Sequence, residues 1–178
     1  MQFATINSLQ NIHRNHINFI FNTLTQTNWP HYESIYTDAS KSTQGVGIGI
    51  YRPSNQQQVQ NTIDNKTNIG LAETIAILEA IKLIRESNLQ KFLIFTDSQS
   101  TLHSIKSVGI SANSHNCILE IRQIFYELHN QGFDICFIWI PGHRSIRGNE
   151  KADSLARQAA FLETPNRNYK IHSNDITS

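Results

Sequence analysis

The run Phe92-Leu93-Ile94-Phe95-Thr96, followed at once by Asp97, constrains the fold of this chain more than any other stretch. Its first four residues are all apolar, so neither side of such a strand can face water. This pattern is typical of a central strand in a sheet that helices cover on both faces. A second run of this kind, from Asp134 to Ile140, predicts another buried strand. We therefore expect an α/β domain.

Three shorter strands are predicted ahead of these two. Ile35 to Asp38 forms a short buried strand, Gly45 to Tyr51 alternates glycine mostly with β-branched residues, and Val59 to Ile63 completes the set. Because turn-like residues join the three strands over short connections, we expect them to form an antiparallel meander.

Helices are predicted between and after the later strands. Leu71 to Glu86 has almost no helix breakers, a short helix follows Asp97, and two further helices span His115 to Asn130 and Asn149 to about Leu162. The resulting order is β-β-β-α-β-α-α-β-α. It predicts a five-stranded mixed sheet, with three antiparallel strands and then two parallel strands, flanked by helices.

The chain divides into a central domain and two flanking segments. Residues 1–33 are predicted to be a helical extension, because apolar residues from Leu9 to Leu24 recur at helical spacing until Trp29-Pro30 interrupts them. This extension is either docked on the domain or a connection to a larger polypeptide. Residues 34–162 are predicted to form the domain, and residues 163–178 a polar tail.

Composition narrows the class of protein. Hydrophobic residues make up 39% of the chain and charged residues 16%, which is typical of a globular protein. The net charge of +1 does not indicate a nucleic-acid-binding protein. Neither a signal-peptide pattern nor an apolar run of about 20 residues is present. We expect an intracellular monomer, cytoplasmic or nuclear, without membrane contact. Cys117 and Cys136 lie in apolar segments and are predicted to be buried free thiols rather than a disulfide.

Four acidic residues occur where the predicted fold brings separate elements together. Asp38 and Asp97 each end a strand, and neighbouring parallel strands present their carboxyl ends at one edge of a sheet. Glu73 lies on the apolar side of its predicted helix, and Asp153 lies early in the last helix. Taken singly, Glu73 also fits a helix-dipole interaction and Asp97 a helix cap. Taken together, the four acids predict one acidic patch.

An acidic patch of this kind is expected to bind divalent cations. Clustered carboxylates repel one another and bind protons unless cations neutralise them. Oxygen ligands without thiolates favour Mg²⁺ or Mn²⁺, and two ions about 3.5–4 Å apart can support in-line attack on a phosphodiester. His143 lies in the loop before the helix of Asp153, where it could shuttle a proton or assist product release.

Four motifs occur in order along the chain: Tyr36-Thr37-Asp38-Ala39-Ser40, Ala72-Glu73, Thr96-Asp97-Ser98-Gln99, and Trp139-Ile140-Pro141-Gly142-His143 with Gly148-Asn149-Glu150-Lys151-Ala152-Asp153. Together they resemble type 1 ribonuclease H over about Ser34 to Leu162. The closing motif is most similar to the ribonuclease H domains of non-LTR retrotransposons. Each motif alone is weak, whereas four in this order and spacing are specific.

The resemblance implies a metal-dependent endonuclease that cuts the RNA strand of RNA/DNA hybrids and leaves 5′-phosphate and 3′-hydroxyl ends. Two Mg²⁺ ions are the implied cofactors, with Mn²⁺ as a substitute. A reverse transcriptase in the same polyprotein is an implied partner. By residue, the resemblance implies metal binding by Asp38, Glu73, Asp97 and Asp153, catalysis by His143, and substrate contacts, for example to a 2′-hydroxyl, by Gln99 and Asn149.

The chain also departs from the family pattern. Ala39 replaces a glycine common in cellular enzymes, and Ser145 stands where the histidine loop commonly has glycine, which puts loop mobility and rate in question. The asparagines that cellular enzymes carry just before the helical glutamate are not in register here, and no basic insertion separates Asp97 from His143. We expect weak affinity for isolated hybrid and steep salt sensitivity. The basic residues nearest the predicted site are Lys41, Arg144, Arg147 and Lys151.

Two other interpretations compete with an active ribonuclease H. One is a catalytically weak or inactive module of the same fold that binds hybrid or protein partners. Four intact acids argue against it, since a binding module has no need of mutually repelling carboxylates. The other is a different nuclease of the broad superfamily, such as an integrase or exonuclease. The position of Glu73 after three strands, with the motif from Gly148 to Asp153, favours ribonuclease H.

Overall fold

The computed structural model describes residues 1–107 and 116–162. It contains one sheet of six strands with the order β1-β6-β5-β2-β3-β4. The strands are β1 (Gln2–Thr5), β2 (Glu33–Lys41), β3 (Val46–Arg52), β4 (Gln57–Ile63), β5 (Lys91–Thr96) and β6 (Asp134–Trp139). β2, β3 and β4 form the predicted antiparallel meander, and β5 runs parallel to both β2 and β6.

Helices cover both faces of this sheet. They are α1 (Arg14–Asn28), α2 (Ile69–Arg85), α3 (Gln99–Lys106), α4 (Asn116–Asn130) and α5 (Arg147–Ala160), with short 3₁₀ helices at Asn7–Asn11 and Pro53–Asn55. The predicted helix from His115 therefore begins at Asn116 in the described part of the chain. Residues 108–115, which include His115, and the predicted tail from residue 163 lie outside the described residues.

The central position of β5 confirms the interpretation of its apolar run. Phe92 and Ile94 are buried in the core between the sheet and the α2 and α4 helices. Leu93 and Phe95 are buried in a second core on the opposite face, with side chains from α1 and α5. Each side of the strand thus has its own apolar layer, and this is why the run lacks polar alternation.

The sheet has six strands rather than the predicted five. The additional strand, β1, lies at the N-terminus and pairs in parallel with β6, with Gln2 opposite Cys136 and Thr5 opposite Trp139. Its four residues carry no hydrophobic alternation, so their pairing depends on the exposed edge of β6 rather than on their own pattern. The mixed sheet flanked by helices is as predicted.

Asp38 and Glu73 lie at places in their strand and helix that differ from those predicted. Asp38 does not end its strand: β2 continues to Lys41, and Asp38 is paired with Gly49 of β3. Glu73 lies in the second turn of α2 because that helix begins at Ile69 rather than Leu71. The helix begins early because the Asn68 side chain accepts a hydrogen bond from the Leu71 backbone N–H and caps it.

Cys117 and Cys136 are both buried and both free, as predicted. Across the described ranges, no helix is long and apolar enough to cross a membrane.

Candidate active site

Asp38, Glu73 and Asp97 converge on one point. One carboxylate oxygen from each residue lies within 4.8 Å of those of the other two. The three residues come from the middle of β2, the second turn of α2 and the turn directly after β5. The sheet therefore brings together three acids that are far apart in sequence.

Burial and mutual repulsion set the protonation of this three-acid cluster. The exposed fraction of Asp38 is 6% and that of Glu73 is 8%. Burial, reinforced by the charge of Asp97, raises the pKa of Asp38 to about 7. Burial, with the charges of Asp38 and Asp97, raises the pKa of Glu73 well above its ordinary value. Burial also raises the pKa of Asp97. The cluster thus holds protons near neutral pH unless cations compensate its charge.

The cluster fits a divalent cation. The Oε2 atom of Glu73 is buried and has no hydrogen-bond partner among the described residues. A buried carboxylate oxygen without a partner is costly, and a bound cation would satisfy it. All three side chains offer carboxylate oxygens, the donors that Mg²⁺ and Mn²⁺ prefer.

Asp153, the fourth predicted acid, is not part of this three-acid cluster. It is buried in α5, and its Oδ2 atom accepts a hydrogen bond from the guanidinium of Arg157, one helical turn further along. The charge of Arg157 also lowers the pKa of Asp38, although burial outweighs it. Arg157 is therefore a cationic neighbour of both Asp153 and Asp38.

The close approach of α5 to the sheet depends on glycines in β3. A β-carbon at Gly49 would lie 2.6 Å from the backbone nitrogen of Ala156 and would overlap the carbonyl oxygen of Ala152. A β-carbon at Gly47, two residues earlier in β3, would overlap the backbone of α5 in the same way. Since Gly49 is paired with Asp38, this contact sets the spacing between Asp38 and the helix that carries Asp153.

His143 lies in the loop between β6 and α5, which we call the His143 loop (residues 140–146). Its side chain is exposed, and its backbone adopts a left-handed conformation with φ of 52°. When His143 is protonated, its charge lowers the pKa of Asp97, which opposes the larger effect of burial. The structure thus places the imidazole at the solvent side of the three-acid cluster.

Two neighbours fix the position of Asp97. The indole Nε1–H of Trp139 donates a hydrogen bond to the Asp97 carbonyl oxygen over 3.0 Å. A β-carbon at Gly142 would overlap the Oδ2 atom of Asp97, so only glycine leaves this carboxylate in place. The strand before the His143 loop and the loop itself therefore both position the Asp97 side chain.

The two predicted substrate-binding residues differ in their surroundings. Asn149 is buried in the first turn of α5, and a hydrogen bond from its side-chain amide lowers the pKa of Asp97. Its Oδ1 atom has no partner in the part of the chain described. Gln99 is exposed at the start of α3, where its backbone N–H donates to the Asp97 carbonyl oxygen over 3.1 Å.

Three further residues reach the site without having been predicted from sequence. Glu150 raises the pKa of Asp38 through its charge, and its Oε1 atom accepts a hydrogen bond from the Ser145 N–H over 3.0 Å. Arg157 stands four residues after Asp153, a spacing that indicates an ion pair on a helix and could have been recognised. Asn18 contacts the His143 loop from α1, and no local pattern indicates this.

Known proteins share the segment of the chain that carries these site residues. The profile of the RNase H family matches residues 30–161, which include all of the predicted site residues. The chain is 32% identical over 141 residues to Ribonuclease H1 of Mus musculus, covering 71% of this chain and 49% of that protein. It thus spans about half the length of this relative.

Shorter and viral relatives match as well. The chain is 30% identical to Ribonuclease H of Orientia tsutsugamushi over 68% of its own length and 78% of that protein. It is 30% identical to the Pol polyprotein of equine infectious anemia virus over 70% of this chain and 10% of the polyprotein. RNase H1 of Halobacterium salinarum has the same fold, with a TM-score of 0.54, 21% identity, and coverage of 72% of this chain and 96% of that one.

Proposed function

This chain belongs to the ribonuclease H family, and we propose that it is an endonuclease that hydrolyses the RNA strand of RNA/DNA hybrids and leaves 5′-phosphate ends. The observation that carries the proposal is the convergence of Asp38, Glu73 and Asp97, with the Oε2 atom of Glu73 buried and unpaired among the described residues. Clustered carboxylates repel one another and destabilise the folded protein unless cations bind to them. The cluster therefore indicates a cation-binding site.

Asp38, Glu73 and Asp97 would hold the divalent cations, with Asp153 as a further ligand once its carboxylate leaves Arg157. Two bound Mg²⁺ ions, or Mn²⁺ in their place, would supply Lewis-acid activation of water and stabilisation of the leaving oxygen. The protein contributes the rigid frame: β2, α2 and the end of β5 fix the three carboxylates before any ligand arrives.

His143 would act as the general acid in this hydrolysis. Its imidazole lies at the solvent side of Asp97, so it can donate a proton to the 3′-oxygen of the departing RNA fragment. The exposure of His143 allows it to exchange that proton with solvent after each turnover.

Asn149 and Gln99 would contact the hybrid, for example at a 2′-hydroxyl. The Oδ1 atom of Asn149 is an acceptor without a partner in the described ranges, and a ribose hydroxyl would provide the donor. Lys41 and Arg147 are exposed and could contact phosphates. With a net charge of only +1, the binding of hybrid would be weak.

A retroelement origin is part of the same proposal. The closing motif resembles those of non-LTR retrotransposons, and the similarity to a viral Pol polyprotein supports a polyprotein that also carries a reverse transcriptase. Such a protein would act inside the cell, in the cytoplasm or the nucleus.

The second candidate is a catalytically weak or inactive module of the same fold that binds hybrid or protein partners. The observation that favours it is the ion pair between Asp153 and Arg157, because it occupies the fourth predicted ligand.

One assay separates the candidates. The protein is incubated with end-labelled RNA/DNA hybrid, RNA duplex and DNA duplex in the presence of Mg²⁺, Mn²⁺ or EDTA. We expect cleavage of the hybrid alone, dependent on the cation, with 5′-phosphate on the downstream product. Intact hybrid with both cations would refute the proposal and support the second candidate.

Asp97→Asn should abolish cleavage while the circular dichroism spectrum and unfolding midpoint stay close to those of the wild type. The matched control is Asp64→Asn, an exposed aspartate in the loop before α2, which should cleave at the wild-type rate. Activity retained in Asp97→Asn would remove Asp97 from the mechanism.

A further inference from the structure

The side chain of Asn18 in α1 bridges the His143 loop and the start of α5. Its Nδ2 atom donates a hydrogen bond to the Ser145 carbonyl oxygen over 2.7 Å. Its Oδ1 atom accepts one from the Arg147 backbone N–H over 2.9 Å. Both bonds span more than 120 residues of sequence. One amide therefore holds two backbone groups on either side of the loop-to-helix junction.

The second of these bonds acts as a helix cap. α5 begins at Arg147, and the residue before it, Ile146, has no side-chain acceptor. The first N–H groups of a helix need acceptors from outside the helix. Asn18 supplies one of these acceptors from a different helix. The helix it caps carries Asn149 and Asp153.

A second contact ties the N-terminal segment (residues 1–28) to the same loop. An Nη2 atom of Arg144 donates to the carbonyl oxygens of Leu9 and Ile12, over 3.0 and 3.1 Å. Leu9 is fully buried in the same apolar core as Ile140 and Ile146, the first and last residues of the loop. The N-terminal segment thus contacts the loop both through hydrogen bonds between its backbone carbonyls and the Arg144 side chain and through apolar packing.

The loop needs such support because its backbone is strained. His143 and Ser145 have φ values of 52° and 61°, in the left-handed region that glycine prefers. Non-glycine residues stay there only where the surroundings over-determine the conformation. At Ser145 the carbonyl oxygen is held by Asn18 and the N–H by Glu150. Asn18 is therefore one of two side chains that fix the residue two positions after His143.

We propose that Asn18 is a positioning residue for His143, and that the N-terminal segment is a working part of the active site. The proposal rests on the proposed function, since it assigns Asn18 a role in the same hydrolysis. It comes from contacts of this chain alone, because Asn18 lies outside residues 30–161 that match the family profile. Asn18 touches no reacting atom and acts only through its two backbone partners, Ser145 in the loop and Arg147 at the start of α5.

The test is a double-mutant cycle with Asn18→Ala and His143→Ala, measured on RNA/DNA hybrid in Mg²⁺. Loss of two hydrogen bonds that hold the loop should lower kcat by about threefold to tenfold, with KM changed less than about twofold. In the His143→Ala background, Asn18→Ala should have no further effect, because the residue it positions is gone. Asn22→Ala is the control: Asn22 is exposed one turn further along α1, and its loss should leave kcat unchanged.

Two results of this cycle would overturn the proposal. One is an Asn18→Ala variant that turns over like the wild type. The other is an equal loss of kcat with and without His143, which would mean that Asn18 does not act through His143. Unfolding midpoints of all four proteins show whether each variant is folded at the assay temperature.

Hydrogen exchange provides a readout that does not depend on cleavage. In Asn18→Ala, the amide of Arg147 and its neighbours at the start of α5 should exchange at least about fivefold faster than in wild type, with β5 amides unchanged. Unchanged exchange at Arg147 would refute the proposal even if the enzyme is active. If the wild type fails to cleave hybrid, the proposed function fails, while exchange still decides whether Asn18 holds the loop.

Discussion

Asp38 of β2 lies directly opposite Gly49 of β3, and Gly49 is in turn covered by the backbone of α5 at Ala152 and Ala156. A glycine on β3 thus allows the helix that carries Asp153 to approach the strand that carries Asp38. The relationship links a packing requirement of the sheet to the geometry of the site.

Gly49→Ala should therefore damage both stability and activity. The added methyl group would overlap backbone atoms of α5, and these atoms cannot move without displacing the whole helix. We therefore expect a loss of about 1–3 kcal/mol in the free energy of unfolding. Displacement of α5 should also lower hybrid cleavage. Chemical denaturation and the hybrid assay measure the two effects. Gly70→Ala is the control, because its methyl group would meet only the Asn68 side chain at 3.5 Å. Equal behaviour of the two variants would contradict this account.

Metal-free protein should become less stable as pH rises from about 4 to 7. The pKa of Asp38 is about 7 in the folded protein and 3.8 ordinarily, so the folded state binds the proton more tightly. Its stabilising contribution is complete below pH 3.8 and is lost as pH rises through about 7. For Asp38 alone the loss is at most about 4 kcal/mol.

Unfolding midpoints in EDTA across this range test the pH dependence. Asp38→Asn, which mimics the protonated acid, should flatten the curve, whereas Asp64→Asn should leave it unchanged. Excess Mg²⁺ should also flatten it, because the cation replaces the proton. A wild-type curve that is equally steep with and without Mg²⁺ would argue against cation binding at the cluster.

Arg157→Gln should lower the Mg²⁺ concentration needed for half-maximal cleavage by about twofold to fivefold. The substitution frees the Asp153 carboxylate and removes a positive charge near Asp38, and a partly exposed ion pair contributes about 0.2–1 kcal/mol. Titration of activity with Mg²⁺ measures the change. Arg85→Gln, at an exposed position at the end of α2, should behave like the wild type. A higher Mg²⁺ requirement in Arg157→Gln would show that Arg157 supports the site rather than competing with it.

His143→Ala should slow turnover by about 10²-fold without abolishing it, because general acid catalysis typically contributes that much while the acids remain in place. Steady-state rates on hybrid provide the measurement. His129→Ala, which removes an exposed histidine on α4, is the matched control. If His143→Ala cleaves at the wild-type rate, the histidine has no part in the reaction.

Much of the fold could be predicted from the sequence because its strongest signals are local. The run from Phe92 to Phe95 indicates a strand buried on both faces whatever its neighbours are, and the structure confirms it. The meander of β2, β3 and β4 follows from short connections, and α2 from an uninterrupted helical pattern. Glu73, an acid on an apolar helix face, indicated a site because burial of an unpaired carboxylate is costly.

The remaining features depend on contacts between distant parts of the chain. β1 has no pattern of its own and exists as a strand because β6 offers an open edge. The pairing of Asp153 with Arg157 is local in sequence. Where that pair lies relative to Asp38, however, depends on how closely α5 packs against Gly49. The bridge from Asn18 to Ser145 has no sequence signal at all.

By itself, the sequence determined the order of strands β2 to β6 and of the helices between and after them, and it placed Glu73 on the apolar face of α2. Both results follow from the periodicity of apolar residues. Only the tertiary structure decided that Asp38, Glu73 and Asp97 lie close enough together to bind one ion. It also decided that Asp153 lies outside this cluster, paired with Arg157. It also decided that α1 supports the His143 loop. The physical reason is that side-chain distances of a few ångströms are set by how closely packed layers approach, and local periodicity carries no information on that spacing.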